Sequence, residues 1–294
     1  MLAAFRILVA VVSTSYVHPD EHFQNAEATA RIVFADRPLA TYETWEFRPP
    51  QLRSLFLPLL TTGLPFWLLK VLLGPELPPP IAMFLAPRLV FCALSFAVDA
   101  AVVWLGRRYA RQLQWKKALV FLATSWPLLV LGARPFSNVT ELVLLAAVLC
   151  LVVYPADMTV ARAVAVSMLG ALGLLNRVTF AAFAAPLALY HAYRCVFASP
   201  APTKTSAAKT ATTAKRRSAC RALVLLGTSV AVFCTTAALL MCFDMYMYTG
   251  RVDLGYLVVA PLNFAVYNTN IENLAQHGIH PRWMHALVNV PMMV

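Results

Sequence analysis

What most constrains this chain is the alternation of long apolar runs with short polar connectors. The runs cover Leu2 to Ser15, Ser54 to Gly74, Ile81 to Leu105, Ala118 to Gly132, Val139 to Tyr154, Ala163 to Leu175, Phe180 to Ala198 and Leu223 to Phe243, and another begins at Met284. Residues are 60% hydrophobic and only 13% charged, which is more apolar surface than a soluble core of this length can bury. The expected fold is therefore an all-α polytopic membrane protein. Several runs fall short of the roughly 20 residues of a perpendicular span and must borrow flanking residues.

Charge placement sets the orientation. Lys and Arg total 24 against 13 acids, an excess that in a soluble protein would suggest nucleic acid. Here the cations gather between apolar runs, at Arg107, Arg108, Arg111, Lys116 and Lys117 and again from Lys204 to Arg221. Such clusters follow the positive-inside rule and predict cytoplasmic loops, with membrane lipids and no nucleic acid as partners. For the segment 16–53 to be luminal and 106–117 cytoplasmic, an odd number of spans must separate them. Ser54 to Gly74 carries Pro58, Gly63 and Pro65, so it is expected to be re-entrant or interfacial, leaving Ile81 to Leu105 to cross. The loop 199–221, rich in Ala, Thr and Lys, reads as a disordered cytoplasmic linker.

The six cysteines lie in or beside apolar runs or in the basic loop, and no Cys/His metal spacing occurs. Neither a disulfide framework, a metal nor a cofactor is expected. The first run imitates a signal peptide, but an uncleaved span is the better reading, because a polar cluster follows it so closely. Asn138-Val139-Thr140 fits the glycosylation sequon, although its asparagine abuts the next run.

That polar cluster, Tyr16 to Gln24, places the adjacent acids Asp20 and Glu21 between His18 and His22. Acids at a membrane surface are costly unless they have a task. Pro19 should end the first helix near His18 and start a new element at Asp20, with Asp20 as its N-cap. The plainer reading is that Asp20 only caps that helix. His18 and His22 have metal-ligand spacing, but Pro19 interrupts the helix that would align them. A second cluster follows at Thr44 to Pro50 and at Arg53-Ser54.

Together with Arg134 to Asn138, Asn176 to Phe180 and Asn263 to Arg282, these motifs resemble the endoplasmic-reticulum α-mannosyltransferases that use dolichyl-phosphate-mannose, glycosyltransferase family 22. The likeness is greatest to the branch that adds the fourth mannose to the glycosylphosphatidylinositol (GPI) anchor. It runs through the whole chain, which stops within an apolar run where the family continues, as if truncated. The resemblance implies a GT-C type glycosyltransferase domain over 1–294, with a large luminal catalytic loop at 16–53. It implies transfer of mannose from dolichyl-phosphate-mannose to the third mannose of the GPI precursor, α-1,2 and inverting, in the endoplasmic reticulum lumen. A carboxylate must take the hydroxyl proton, and the resemblance assigns that to Asp20, with Glu21 as second candidate. Donor and acceptor contacts are expected from His18, His22, Gln24, Trp45, Glu46, Arg53, Arg134, Arg177, His277, His280 and Arg282, with cations holding the leaving phosphate. Sister enzymes that add the third GPI mannose or extend the dolichol-linked N-glycan share the Asp-Glu loop. A transporter built on an intramembrane acid such as Asp99 is the reading from another class.

Overall fold

The structure, a computed structural model, describes residues 2–15, 17–197, 211–253, 255–276, 281 and 283. Among these residues the regular elements are all helical. Helix α1 spans Leu2–Val12, a π-turn at His22–Ala26 leads into α2 at Glu27–Val33, and α3 (Phe56–Pro58) continues through a second π-turn into α4 (Leu64–Leu72). Then come α5 (Pro80–Tyr109), α6 (Gln112–Thr124), a π-turn at Pro127–Leu131, α7 (Ser137–Val153), α8 (Val160–Asn176), α9 (Phe180–Phe197) and α10 (Ala211–Thr249). Two short helices close the described fold, α11 at Ala260–Thr269 and α12 at Ile271–Ala275.

Among the described residues three stretches are long and apolar enough to cross a membrane: Pro80–Tyr109, Phe180–Phe197 and Ala219–Thr249. Their outward faces confirm the solvent. Leu189 and Leu223 are 71–74% exposed, a surface that hydrocarbon tolerates and water does not. The polytopic all-α expectation therefore holds. The spans pack α8 against both α7 and α10, and α5 against α1, α6 and α7. One apolar cluster joins Val148 and Val152 of α7 to Val166 of α8 and Phe180 of α9. Another joins Ala30 and Phe34, at the end of α2, to Phe66 of α4.

Four expectations need correction. First, α1 ends at Val12, well before His18, because the Ser13 and Ser15 carbonyls are taken by arginine side chains rather than by a continuing ladder. Helix resumes at Asp20, as expected, but Asp20 is its first residue and not its cap. Second, Phe56–Leu72 runs as one helical rod through Pro58, Gly63 and Pro65, the residues expected to break it, although it is shorter than the candidate spans. Pro58 falls in its first turn, where a missing N–H costs little, and the π-turn Leu59–Gly63 widens the ladder just ahead of Pro65. Third, the basic stretch 106–117 is barely a loop, since α5 runs through Arg107 and Arg108 and α6 begins at Gln112. Fourth, α10 begins at Ala211, so the end of the supposed linker 199–221 is helical, and the rest of it lies outside the described residues.

Candidate active site

The two adjacent acids meet opposite fates. Glu21 is fully buried, and both of its oxygens are taken by arginines from other elements. Arg134 Nη1 lies 2.6 Å from Glu21 Oε2, and Arg88 Nη2 bonds Glu21 Oε1. The remaining donors of Arg134 reach the Ser15 carbonyl at 2.7 Å, Ser13 Oγ at 2.6 Å and the Val130 carbonyl at 3.1 Å. Arg88 also donates to the Ser13 and Ser15 carbonyls. Asp20, one residue earlier, keeps 42% of its side chain exposed.

His18 flanks Asp20. Its Nδ1 accepts the Asp20 N–H at 3.2 Å, which requires a lone pair on Nδ1 and puts the ring proton on Nε2. The same nitrogen lies 3.4 Å from Asp20 Oδ1, a contact that becomes an ion pair only when the imidazole is protonated. The carboxylate of Asp20 is left open to a ligand.

Beside this pair runs a chain of polar contacts drawn from four elements. Arg53 grips Glu46 Oε1 through Nη2 at 2.8 Å and Nε at 3.1 Å, and Gln24 Nε2 reaches the same oxygen at 3.4 Å. Ser137 donates to Gln24 Oε1 at 3.3 Å and accepts from Arg177 Nη1 at 2.7 Å. Arg177 then pairs with Glu141 at 3.1 Å, and Thr179 donates to the other oxygen of Glu141 at 2.8 Å. Asn176 ties the chain to α7 through the Ser137 carbonyl at 3.1 Å and Thr140 Oγ1 at 3.2 Å.

Burial lowers the pKa of Arg177, and the neighbouring Arg53 guanidinium lowers it further, while Glu141, Glu46 and Asp20 oppose both effects. Two guanidiniums close enough to repel each other favour an anion between or beside them. Arg53, Asn176, Arg177, Thr179 and Phe264 line a cavity of about 10 Å³ there, room for roughly one water.

The other expected residues are spread around this centre. His18 and Asp20 face a largely apolar groove of about 620 Å³ walled by Trp126, Leu128, Leu131 and Leu142. His22 points to a different groove of about 550 Å³, shared with Glu27, Phe66 and Met83, and stacks on Phe84 at 6.5 Å. The two histidines therefore diverge, and among the described residues no group of three or more His, Cys, Asp or Glu side chains is placed to hold a metal. Trp45 stacks on Tyr267 of α11 at 5.0 Å. His277, His280 and Arg282 lie outside the described residues.

The roles expected of Arg134 and Glu21 need revision. Arg134 is 3% exposed with its donors consumed, so it is not free to hold a phosphate, and Glu21 is not free to take a proton. Sequence reasoning gave no site role to Arg88, Ser13, Ser15, Glu141 or Asp244. A lone charge inside an apolar run was the signal for Arg88 and Asp244. Asp99, the acid on which a transporter would rest, is already matched by Arg6 at 3.0 Å.

An all-helical chain with three described helices long and apolar enough to cross a membrane is a polytopic membrane protein. The sequence model of the Alg9-like mannosyltransferase family matches residues 1–294, and the chain belongs to that family. It is 35% identical to human "GPI alpha-1,2-mannosyltransferase 4" over 98% of its own length and 48% of that protein's. To "GPI mannosyltransferase 4" of Eremothecium gossypii it is 32% identical, over 98% of this chain and 52% of that one. The protein of the same name from Drosophila melanogaster is 27% identical over 99% of this chain and 47% of its own. The chain thus spans about half the length of the curated relatives it matches. No solved structure matches it.

Proposed function

We propose that this chain carries the catalytic loop of an α-mannosyltransferase that moves mannose from dolichyl-phosphate-mannose to the third mannose of the GPI precursor. The reaction takes place at the lumenal face of the endoplasmic reticulum membrane. The observation that carries the reading is the split between the two acids: Glu21 is buried and paired with two arginines, whereas Asp20 is half-exposed and, among the described residues, meets no arginine or lysine. Asp20 takes the proton of the acceptor hydroxyl as it attacks the anomeric carbon. Arg53 and Arg177 stabilise the phosphate that leaves, in a site partly shielded from water where such interactions are strong. Single displacement on a β-linked donor inverts the centre and gives the α-mannoside. The names of the relatives support the acceptor, and the family supports the sugar. Trp45 and Tyr267, stacked on each other, present an aromatic face suited to a sugar ring.

The test is to express the chain, as wild type and as Asp20→Asn, in cells that lack fourth-mannose activity, and to count mannoses on the accumulated GPI lipids. Asp20→Asn should lower transfer by about two to four orders of magnitude. A protein that is stable in the membrane and adds no fourth mannose would move the acceptor to the third GPI mannose or to the N-glycan precursor, the two sister reactions.

A further inference from the structure

The buried cluster behind Asp20 does more than neutralise Glu21. Arg88 comes from α5, Arg134 from the turn before α7, and Glu21 from the first turn of the helix that leads into α2. Both arginines also hold the Ser13 and Ser15 stretch that follows α1. The chain is therefore fixed at Ser15 on one side of Asp20 and at Glu21 on the other. Between these points lie Pro19, whose φ is fixed, and the His18 contact to the Asp20 N–H.

This arrangement is a clamp with one free end. Glu21, Arg88 and Arg134 are 0%, 1% and 3% exposed, so no ligand reaches them, and the sum of their charges is +1. A helix start needs none of this. The contacts anchor a loop next to a carboxylate that itself makes no contact with the cluster.

We propose that Arg88 and Arg134, acting through Glu21, are positioning residues that hold the Asp20 carboxylate at the distance and angle the transfer requires. The inference rests on the reading of Asp20 as base. Proton transfer needs the acid within hydrogen-bond reach of the acceptor hydroxyl, and small displacements cost much of the rate. The clamp supplies that rigidity from elements of the transmembrane bundle, so the loop need not rely on its own short helix.

The experiment compares Arg134→Lys, the double variant Glu21→Gln with Arg88→Gln, and Asp20→Asn, all purified in lipid nanodiscs with the wild type. Arg134→Lys keeps the charge and loses the planar fork that reaches Ser13, Ser15 and Glu21 together. The double variant keeps the cluster's charge at +1 while breaking the clamp. Thermal unfolding is measured first, and the kinetic comparison uses whichever clamp variant unfolds cooperatively within a few degrees of wild type. The expected result is a fall in kcat of about tenfold to a hundredfold with KM for donor and acceptor unchanged within about twofold. A folded clamp variant with kcat near wild type, or one whose KM rises while kcat holds, overturns the inference. So does unfolding of both clamp variants, which would make the cluster a stability element only. Asp20→Asn separates the two levels. If it retains wild-type kcat, the base assignment itself fails, whereas an inactive Asp20→Asn beside a fully active clamp variant removes the positioning role alone.

Discussion

The Asp244 carboxylate accepts the Leu55 N–H at 2.9 Å, linking residues 189 apart in sequence. One turn further along α10, Tyr248 donates to the Arg53 carbonyl at 2.7 Å. The far end of α10 thus takes hold of the segment that carries Arg53, and it does so at the start of α3, where unpaired N–H groups and the helix dipole both favour an anion. Asp244 is fully buried.

Asp244→Ala should therefore cost about 1–3 kcal/mol, the penalty for leaving a buried N–H unsatisfied. Asp244→Asn keeps an acceptor of the same shape at Oδ1 and should cost less. Thermal unfolding in detergent ranks the three proteins. Equal midpoints for the alanine variant and the wild type would mean that the bond contributes nothing to the fold.

Gly173 sits one turn before Arg177, and a methyl group there would lie 2.4–2.5 Å from the Phe180 ring. Phe180 is 2% exposed and locked in the cluster of Val148, Val152 and Val166, so it has little room to yield. Gly173→Ala should destabilise the protein by about 1–3 kcal/mol through overpacking. Because the strain falls on the turn that aims Arg177, the KM for the lipid-phosphate donor should rise as well. A variant with unchanged stability and unchanged KM would show that the α8–α9 turn relaxes freely.

Arg177→Lys tests the proposed phosphate contact directly. Lysine keeps the charge but cannot span Ser137 Oγ at 2.7 Å and Glu141 at 3.1 Å while also offering donors to a ligand. Donor KM should rise about tenfold or more, as expected for loss of a charge-assisted, two-pronged contact. Acceptor KM should hold. The opposite pattern, with acceptor KM rising alone, would assign Arg177 to the acceptor sugar.

The fold was legible because its signal is physical and long-range. Apolar runs and basic connectors determine spans and orientation almost regardless of detail, so α7, α8 and α9 begin and end within a few residues of the expected runs. The errors come from local devices that composition does not show. Proline looked like a breaker in the segment 54–74, yet Pro58 stands in a first turn and Pro65 follows a π-turn. The site was half legible. The Asp-Glu pair stood out as charge where charge is costly, but nothing in the sequence separates Asp20 from Glu21. Their difference arises from Arg88 and Arg134, which lie 67 and 113 residues away from Glu21. Arg134 was noticed as a cation at a span boundary, and only the packing shows that it faces inward.

The same logic reaches another buried arginine. Arg6 of α1 lies 3.0 Å from Asp99 and donates to Ser95 Oγ at 3.0 Å, both on α5, with its guanidinium over the Phe96 ring at 4.9 Å. Arg6 is 1% exposed and its Nε has no partner among the described residues, so the pair is not fully satisfied by them. Breaking it from one side leaves a buried charge alone: Asp99→Asn should cost about 3–5 kcal/mol. Removing both charges takes away the desolvation penalty together with the attraction, so Arg6→Met with Asp99→Asn should recover most of that loss. A double-mutant cycle on thermal stability measures the coupling. Strict additivity of the two single losses would mean that α1 is held to α5 by its apolar contacts alone, and that Arg6 and Asp99 are neighbours without being partners.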